Sequence, residues 1–336
     1  MPRKRQSENS ILKKIVDGSR SSRGWLAGHS VALGMGDDAA LFRPKPGHEI
    51  ILTCDWFLEG PHFLRGKHPP DAVGWKCLAR ALSDVAAMGG TPRCFLLSLA
   101  LPETHTGWWL DLFLGGLRRA SRKFQCALAG GDTTRRNVIL INITVVGEAR
   151  AGLAVLRSGA REGDILYVTG RLGEAELGLR LALRGKSFAS KKNPLVSKHL
   201  YPEPRLELGR WLAEKKIATA MMDLSDGLST DLPRLCAASA VGARLEEVKI
   251  PRVQTRDLAL KHGDDPLQLA LHGGDDYELM FTVSPKKAKL VPKTFRGVAL
   301  TAIGKITRDR DLLVLEENGR ARQLISGGWD PFRKKL

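Results

Sequence analysis

Apolar positions along this chain form two successive series of short β-like runs and longer helical stripes. In the first series, Glu49 to Cys54 (EIILTC) reads as a strand ending directly at Asp55. Asp71 to Met88 reads as a helix with Val73, Cys77, Leu78, Ala81, Leu82 and Val85 on one stripe, stopped by Gly89-Gly90. Phe95 to Leu101 is a strand closed by Pro102, Thr106 to Phe124 a helix, Cys126 to Ala129 a short strand, and Val138 to Val146 a β-branched strand. Gly147 to Gly163, small and irregular, reads as a joint. Beyond it come a strand at Asp164 to Thr169, helices at Leu172 to Leu183 and Pro204 to Glu214, and a strand at Ala218 to Met222. A helix at Leu228 to Ala238 and strands at Tyr277 to Val283 and Leu312 to Leu315 complete the series, with Asn318-Gly319 as a hairpin turn. Arg184 to Lys198 is polar and reads as a surface insertion. The pattern predicts an α/β protein of two domains, residues 1–148 and 149–336.

Composition changes this picture little. A length of 336 residues suits two cores, and 43% hydrophobic with 26% charged residues is ordinary for a globular chain. No apolar run reaches membrane-span length and the basic N-terminus precedes no secretory apolar stretch. Five scattered cysteines without a C-x-x-C pair argue against a disulfide framework or structural zinc, and for a reducing cytoplasm. The net charge of +17 raises the question of nucleic acid. Lys191-Lys192, Lys215-Lys216, Lys286-Lys287 and Arg333-Lys334-Lys335 lie in different regions, however, without interleaved aromatics, so steering of anionic small substrates is the expectation.

Four glycine-flanked acidic segments carry the chemistry: Gly34-Met35-Gly36-Asp37-Asp38, Gly130-Gly131-Asp132-Thr133-Thr134, Asp223-Leu224-Ser225-Asp226-Gly227 and Gly273-Gly274-Asp275-Asp276. Any one could be a solvated turn. Clustered carboxylates repel unless a cation or proton relieves them, and glycine lets backbone approach a bulky anion. Together they fit a magnesium–nucleotide site, because Mg²⁺ bridges carboxylates to phosphates.

The ordered motifs G-x-G-D-D-A-A-L (from Gly34), D-x-x-x-x-G-x-H-F (from Asp55), A-L-S-D-V-A-A-M-G (from Ala81), G-G-D-T-T-R (from Gly130), R-S-G-A-x-x-G-D (from Arg157), D-L-S-D-G-L (from Asp223) and G-G-x-D-Y-E-L (from Gly273) resemble the thiamine-monophosphate kinases. Those enzymes belong to the ATP-binding superfamily of aminoimidazole ribonucleotide synthetase. The resemblance spans nearly the whole chain. It implies the two-domain fold of that superfamily with mixed sheets, the N-terminal domains pairing in a homodimer. It also implies transfer of the ATP γ-phosphoryl group to thiamine monophosphate, giving thiamine diphosphate and ADP. Several Mg²⁺ ions are implied at Asp38, Asp55, Asp84, Asp132, Asp223 and Asp226, with Thr53 and Cys54 beside Asp55; a monovalent cation is left open. Gly131, Asp132, Arg157 and Ser225 fall on nucleotide-contacting positions, and His62, Asp275 and Trp329 on substrate-contacting ones. Neither nucleic acid nor membrane is implied as a partner.

The implied chemistry suits these residue types. A phosphate monoester, with its second pKa near ~6, is largely ionised at neutral pH and needs no general base. It needs cancellation of charge on approach to a triphosphate, which metal ions and a cation such as Arg157 supply. Plainer readings stand beside these. Asp84 could be an exposed helix end, Asp226 an N-cap for the helix after it, His62 an ordinary loop histidine, Trp329 a C-terminal plug rather than a ring over a cationic thiazolium, and Asp37 an Asx-turn former. Three positions depart from the family pattern: Cys54 replaces a hydroxyl residue, so that any metal contact there falls to its carbonyl; Asp275 replaces Glu; and Trp329 replaces Tyr or Phe. Sister enzymes that work through a cysteine near either end of the chain are disfavoured, since the first cysteine is Cys54 and the last Cys236.

Overall fold

The computed structural model describes residues 8–19, 23–35, 38–185, 188, 193–254, 260 and 263–332. Gly36 and Asp37, the basic N-terminus, Lys191-Lys192 and Arg333 to Lys335 lie outside these residues. The chain divides into two units, residues 1–85 with 90–152, and residues 86–89 with 153–336.

Four strands form the main sheet of the first unit: β3 (His48–Leu58), β4 (Thr91–Leu101), β5 (Ala127–Arg135) and β6 (Leu140–Arg150), in the order β3-β6-β4-β5. A small ribbon of β1 (Val31–Leu33) and β2 (Leu41–Phe42) accompanies it, after α1 (Glu8–Ser19) and α2 (Arg23–Gly28). β6 is antiparallel to β3 and β4, whereas β5 is parallel to β4, as a crossover through α4 (Trp108–Phe124) requires. Paired residues share a face, so the register sorts the side chains. Ile51, Phe57, Phe95, Leu97, Leu99, Ile141, Ile143 and Val145 are buried on one face. Leu52, Trp56 and Leu96 stand on the other, 70%, 55% and 38% exposed.

α3 (Pro70–Ala87) crosses α4 at backbone contact. A Cβ on Gly74 would lie 2.0 Å from the Phe113 carbonyl oxygen, and one on Gly116 would lie 1.8 Å from that of Asp71. Two expectations are corrected here. β3 does not stop at Asp55 but continues to Leu58, and Gly130 to Thr134 is not a loop but the second half of β5. Pairing of Leu96 to Leu101 with Gly130 to Arg135 overrides the turn-like composition.

The second unit is built on β7 (Ile165–Thr169), β8 (Ala218–Leu224), β9 (Gly242–Glu246), β10 (Glu278–Val283), β11 (Thr294–Phe295), β12 (Val298–Thr307), β13 (Leu312–Leu315) and β14 (Ala321–Gln323). Their order is β14-β13-β9-β12-β7-β10-β8, with β11 on β12, and β13 runs parallel to β9 while the other pairs are antiparallel. The α/β class with mixed sheets is therefore what the chain adopts. Alternation along β7, β8 and β10 feeds two cores. Leu166, Val168, Met222 and Met280 pack with α8 (Leu228–Ser239) and α9 (Pro266–His272). Tyr167, Met221, Leu279 and Phe281 pack with α7 (Leu206–Glu214). α5 (Glu174–Arg184) precedes α6 (Pro194–Leu200). α6 corrects the expectation of an irregular insertion: Asn193 caps it, and Val196, His199 and Leu200 are buried. The hairpin expected at Asn318-Gly319 joins β13 to β14. Two of the four basic stretches are neighbours in the fold, since Lys287 donates to the Lys216 carbonyl at 2.5 Å.

Candidate active site

In the first unit, Thr53 and Asp55 lie two residues apart on the inward face of β3, while Arg80 and Asp84 lie four apart on one face of α3. The two periodicities meet. The Thr53 hydroxyl donates to the Asp84 carboxylate, and Arg80 Nε is 3.3 Å from Asp55 Oδ2. Arg80 also sits over the Phe57 ring, 5.6 Å from its centroid. Asp84 lies three residues from the end of α3 and faces β3, so it is not a bare helix end. The donors gathered here are hard oxygens, suited to Mg²⁺.

Cys54 and Asp132 occupy the opposite face of the sheet. Cys54 Sγ accepts from Asn142 Nδ2 at 3.1 Å, and Asp132 pairs in register with Ser98, which pairs with Asn142. Asp132 is exposed and accepts from the Thr133 amide at 2.8 Å. Beside it, a Cβ on Gly131 would lie 2.0 Å from the Leu97 carbonyl oxygen, so strand pairing alone demands that glycine. Asp38 is exposed after β1. His62 is fixed locally: the Leu58 amide donates to Nδ1 at 2.9 Å, and the ring stacks on Phe57 at 5.8 Å. Among the described residues, no three His, Cys, Asp or Glu side chains form a metal-binding cluster.

In the second unit, segments distant in sequence converge on one loop, residues 225–227 between β8 and α8. Asp223, 4% exposed, lies in the buried run that ends β8 at Leu224. The Ser225 and Asp226 amides donate to Asp231 Oδ2 at 3.0 and 2.9 Å, so a carboxylate one turn into α8 shapes the loop. Burial pushes the Asp231 carboxyl up to about 6. Arg234 Nη1 reaches Asp226 Oδ2 at 2.5 Å and Asp231 Oδ1 at 2.8 Å. Asp226 caps nothing with its side chain; Gly227 is the residue at the N-cap of α8.

Two further segments dock on this loop. The Asp275 amide donates to the Ser225 carbonyl, and the Trp329 amide to the Asp226 carbonyl, both at 2.9 Å. Asp275 and Tyr277 both hold positive φ, 67° and 50°, a costly conformation for tyrosine. Tyr277 Oη donates to Asp275 Oδ1 at 2.8 Å, and His199 Nδ1 lies 3.7 Å from Asp275 Oδ2. Before Trp329, Gly327 donates to Ser229 Oγ and Gly328 to Thr230 Oγ1, each at 3.2 Å. Trp329 itself is half-buried. Arg157 is not brought to this loop. Its carbonyl accepts from Ser239 at 2.6 Å, at the other end of α8.

Sequence reasoning missed the supports beneath this loop. Asp276, 6% exposed, accepts from the amides of Gly173 (2.6 Å) and Ala175 (3.2 Å) at the start of α5. Its burial outweighs the attraction of Lys198 and pushes the carboxyl up to about 7. Glu278, fully buried, takes Arg205 through two bonds of 2.7 and 2.5 Å. There burial opposes the charge, but Arg205 outweighs it and holds the carboxyl below its usual range. Asp231, Arg234 and His199 had no local signature.

Sequence and fold comparisons agree with this layout. The AIR synthase related protein N-terminal domain matches residues 36–149 and the corresponding C-terminal domain residues 161–315. The thiamine-monophosphate kinase of Escherichia coli K12 is 36% identical, over 97% of this chain and 98% of that enzyme. The chain belongs to the thiamine-monophosphate kinase family. A crystal structure of the family from Stenotrophomonas maltophilia K279a is 33% identical with a TM-score of 0.80, covering 94% of this chain and 98% of that one. A second, AaThiL complexed with AMPPCP and TMP, is 31% identical with a TM-score of 0.76, and 99% of each chain is covered. No helix among the described residues is long and apolar enough to cross a membrane.

Proposed function

We propose that this chain transfers the γ-phosphoryl group of ATP to thiamine monophosphate, forming thiamine diphosphate and ADP. The observation that carries the reading is the convergence of two separated family motifs, at Asp223 to Gly227 and Asp275, with the Trp329 segment on one loop of the second unit. That loop would hold the phosphate-bearing end of a substrate against metal ions, with the half-buried Trp329 ring offering a face to the thiazolium cation.

The donor set fits Mg²⁺, since Asp38, Thr53, Asp55, Asp84, Asp132, Asp223 and Asp226 offer only oxygen and Cys54 contributes its carbonyl. Several bound ions would cancel charge between the attacking phosphate and the triphosphate. Thr53 and Arg80 hold Asp84 and Asp55 in place, and Asp231 holds the amides of Ser225 and Asp226. Of the nucleotide-contacting positions, Gly131 and Asp132 lie in the first unit and Arg157 and Ser225 in the second, where Arg157 would be a cation on a phosphate. His62, Asp275 and Trp329 would take thiamine monophosphate. In this reading residues 1–148 carry ATP- and metal-binding residues without being their sole source, and the open face carrying Leu52, Trp56 and Leu96 pairs two copies in a homodimer. Small anions rather than nucleic acid or membrane are its partners. Five free cysteines, four of them buried, suit a cytoplasmic protein.

The test is discontinuous: purified protein, ATP, Mg²⁺ and thiamine monophosphate, with K⁺ or Na⁺ as the monovalent ion, and thiamine diphosphate quantified by chromatography. Product that disappears with EDTA is the expected result. ATP binding without product would refute the assigned acceptor.

A further inference from the structure

We infer that Arg234 is a resident counter-cation for Asp226, occupying the carboxylate when no metal is bound and weakening the site's affinity for a divalent ion. The inference rests on Asp226 being a metal ligand. One guanidinium nitrogen spans two carboxylates: Nη1 is 2.5 Å from Asp226 Oδ2 and 2.8 Å from Asp231 Oδ1. The two contacts are unequal. Asp231 is fully buried on α8, and its other oxygen is committed to the amides of Ser225 and Asp226. Asp226 lies in the loop with its side chain 22% exposed, and Arg234 is 44% exposed. Arg234 and Asp231, three residues apart on the helix, stay neighbours whatever Asp226 does.

A guanidinium never loses its charge in a protein, so this position is occupied by a cation at every working pH. Without one, Asp226 and Asp231, both held by the same nitrogen, would crowd negative charge around the loop. Arg234 holds Asp226 through Oδ2 alone, so a metal ion arriving at this carboxylate either takes the other oxygen against the guanidinium's positive charge or displaces Arg234 onto Asp231. Both weaken its binding, and the loop keeps its shape because the Asp231 amide bonds are untouched. Arg234 thus protects the empty loop and competes with the filled one. A simple positioning residue would do the first without the second.

These roles predict effects of opposite sign in one variant. In Arg234→Gln the metal-free protein unfolds more easily, yet Mn²⁺, counted from its free-ion electron paramagnetic resonance signal, binds roughly two- to fivefold tighter, the range exposed ion pairs span. Arg234→Lys keeps the charge and stays near the wild-type affinity. Asp226→Asn, run in parallel, loses the same Mn²⁺. Equal or weaker Mn²⁺ binding in Arg234→Gln would overturn the inference while leaving Asp226 as a ligand. Unchanged Mn²⁺ binding in Asp226→Asn would instead remove the metal assignment, and the inference with it.

Discussion

Gly328→Ala tests whether the C-terminal segment contributes to substrate binding. A Cβ there would stand 1.9 Å from the Asp226 carbonyl oxygen and 2.6 Å from Thr230 Oγ1. The nearer atom is backbone in a loop fixed by Asp231, so the segment itself must lift. Lifting it breaks three bonds: Trp329 N to Asp226 O at 2.9 Å, Gly328 N to Thr230 Oγ1 at 3.2 Å and Gly327 N to Ser229 Oγ at 3.2 Å. At about 0.5–1.5 kcal/mol each, their loss removes about 2–4 kcal/mol of docking energy, enough to undock Trp329 most of the time. We expect KM for thiamine monophosphate to rise roughly tenfold or more, each factor of ten being about 1.4 kcal/mol, while KM for ATP moves little. Steady-state kinetics with either substrate varied gives the two constants, and hydrogen exchange over residues 326–330 reports whether the segment has lifted. Fast exchange with an unchanged KM for thiamine monophosphate would refute the assignment of Trp329. Slow, wild-type exchange would refute the steric argument.

Asp84→Asn keeps an oxygen for the Thr53 hydroxyl but removes the charge; turnover should fall by orders of magnitude with an unchanged unfolding midpoint, and near wild-type turnover would remove Asp84 from the metal set. Arg205→Met leaves Glu278 buried without its bidentate partner, and urea unfolding should show a loss of about 3–5 kcal/mol. A loss below about 1 kcal/mol would mean that Lys198, 3.7 Å from Glu278, and the Thr169 hydroxyl that donates to it suffice. Asp276 titrates at about 7 in the folded protein against an ordinary 3.8, so the folded state binds more protons between those values. Its contribution to stability therefore falls as pH rises from about 4 to 7 and is flat above, by at most about 4 kcal/mol. Asp276→Asn should flatten that slope in unfolding measured from pH 5 to 8, and an unchanged slope would place the titration elsewhere.

The strands most legible in the sequence are those buried on both faces, β7, β8 and β10, because a short continuous apolar run fits little except a strand shielded on both sides. β12 was not legible. It lies centrally in its sheet, yet Gly304 interrupts it and Lys305 is exposed, so its pattern resembles a loop. The Gly130 to Thr134 segment misled for the opposite reason, since glycine and aspartate suggest a turn where the ladder to β4 decides. At the site, the acidic motifs announce themselves by composition, but what holds them does not. Asp231 is one acid among many until burial and two amide bonds distinguish it. His199 sits in a stretch whose polarity conceals a helix with three buried residues.

The crossing of α3 and α4 has a bearing on how this protein can change. α3 carries Arg80 and Asp84, and its distance from α4 is set by Gly74 and Gly116, whose missing side chains let backbone meet backbone. A single methyl at either position would push α3 aside and carry Arg80 and Asp84 away from β3, although neither glycine touches a reacting group. In a library of random variants, these two positions should tolerate as little as the aspartates themselves. Change in this chain is then constrained by a helix spacing as well as by chemistry, and a compensating change would have to come from the facing helix.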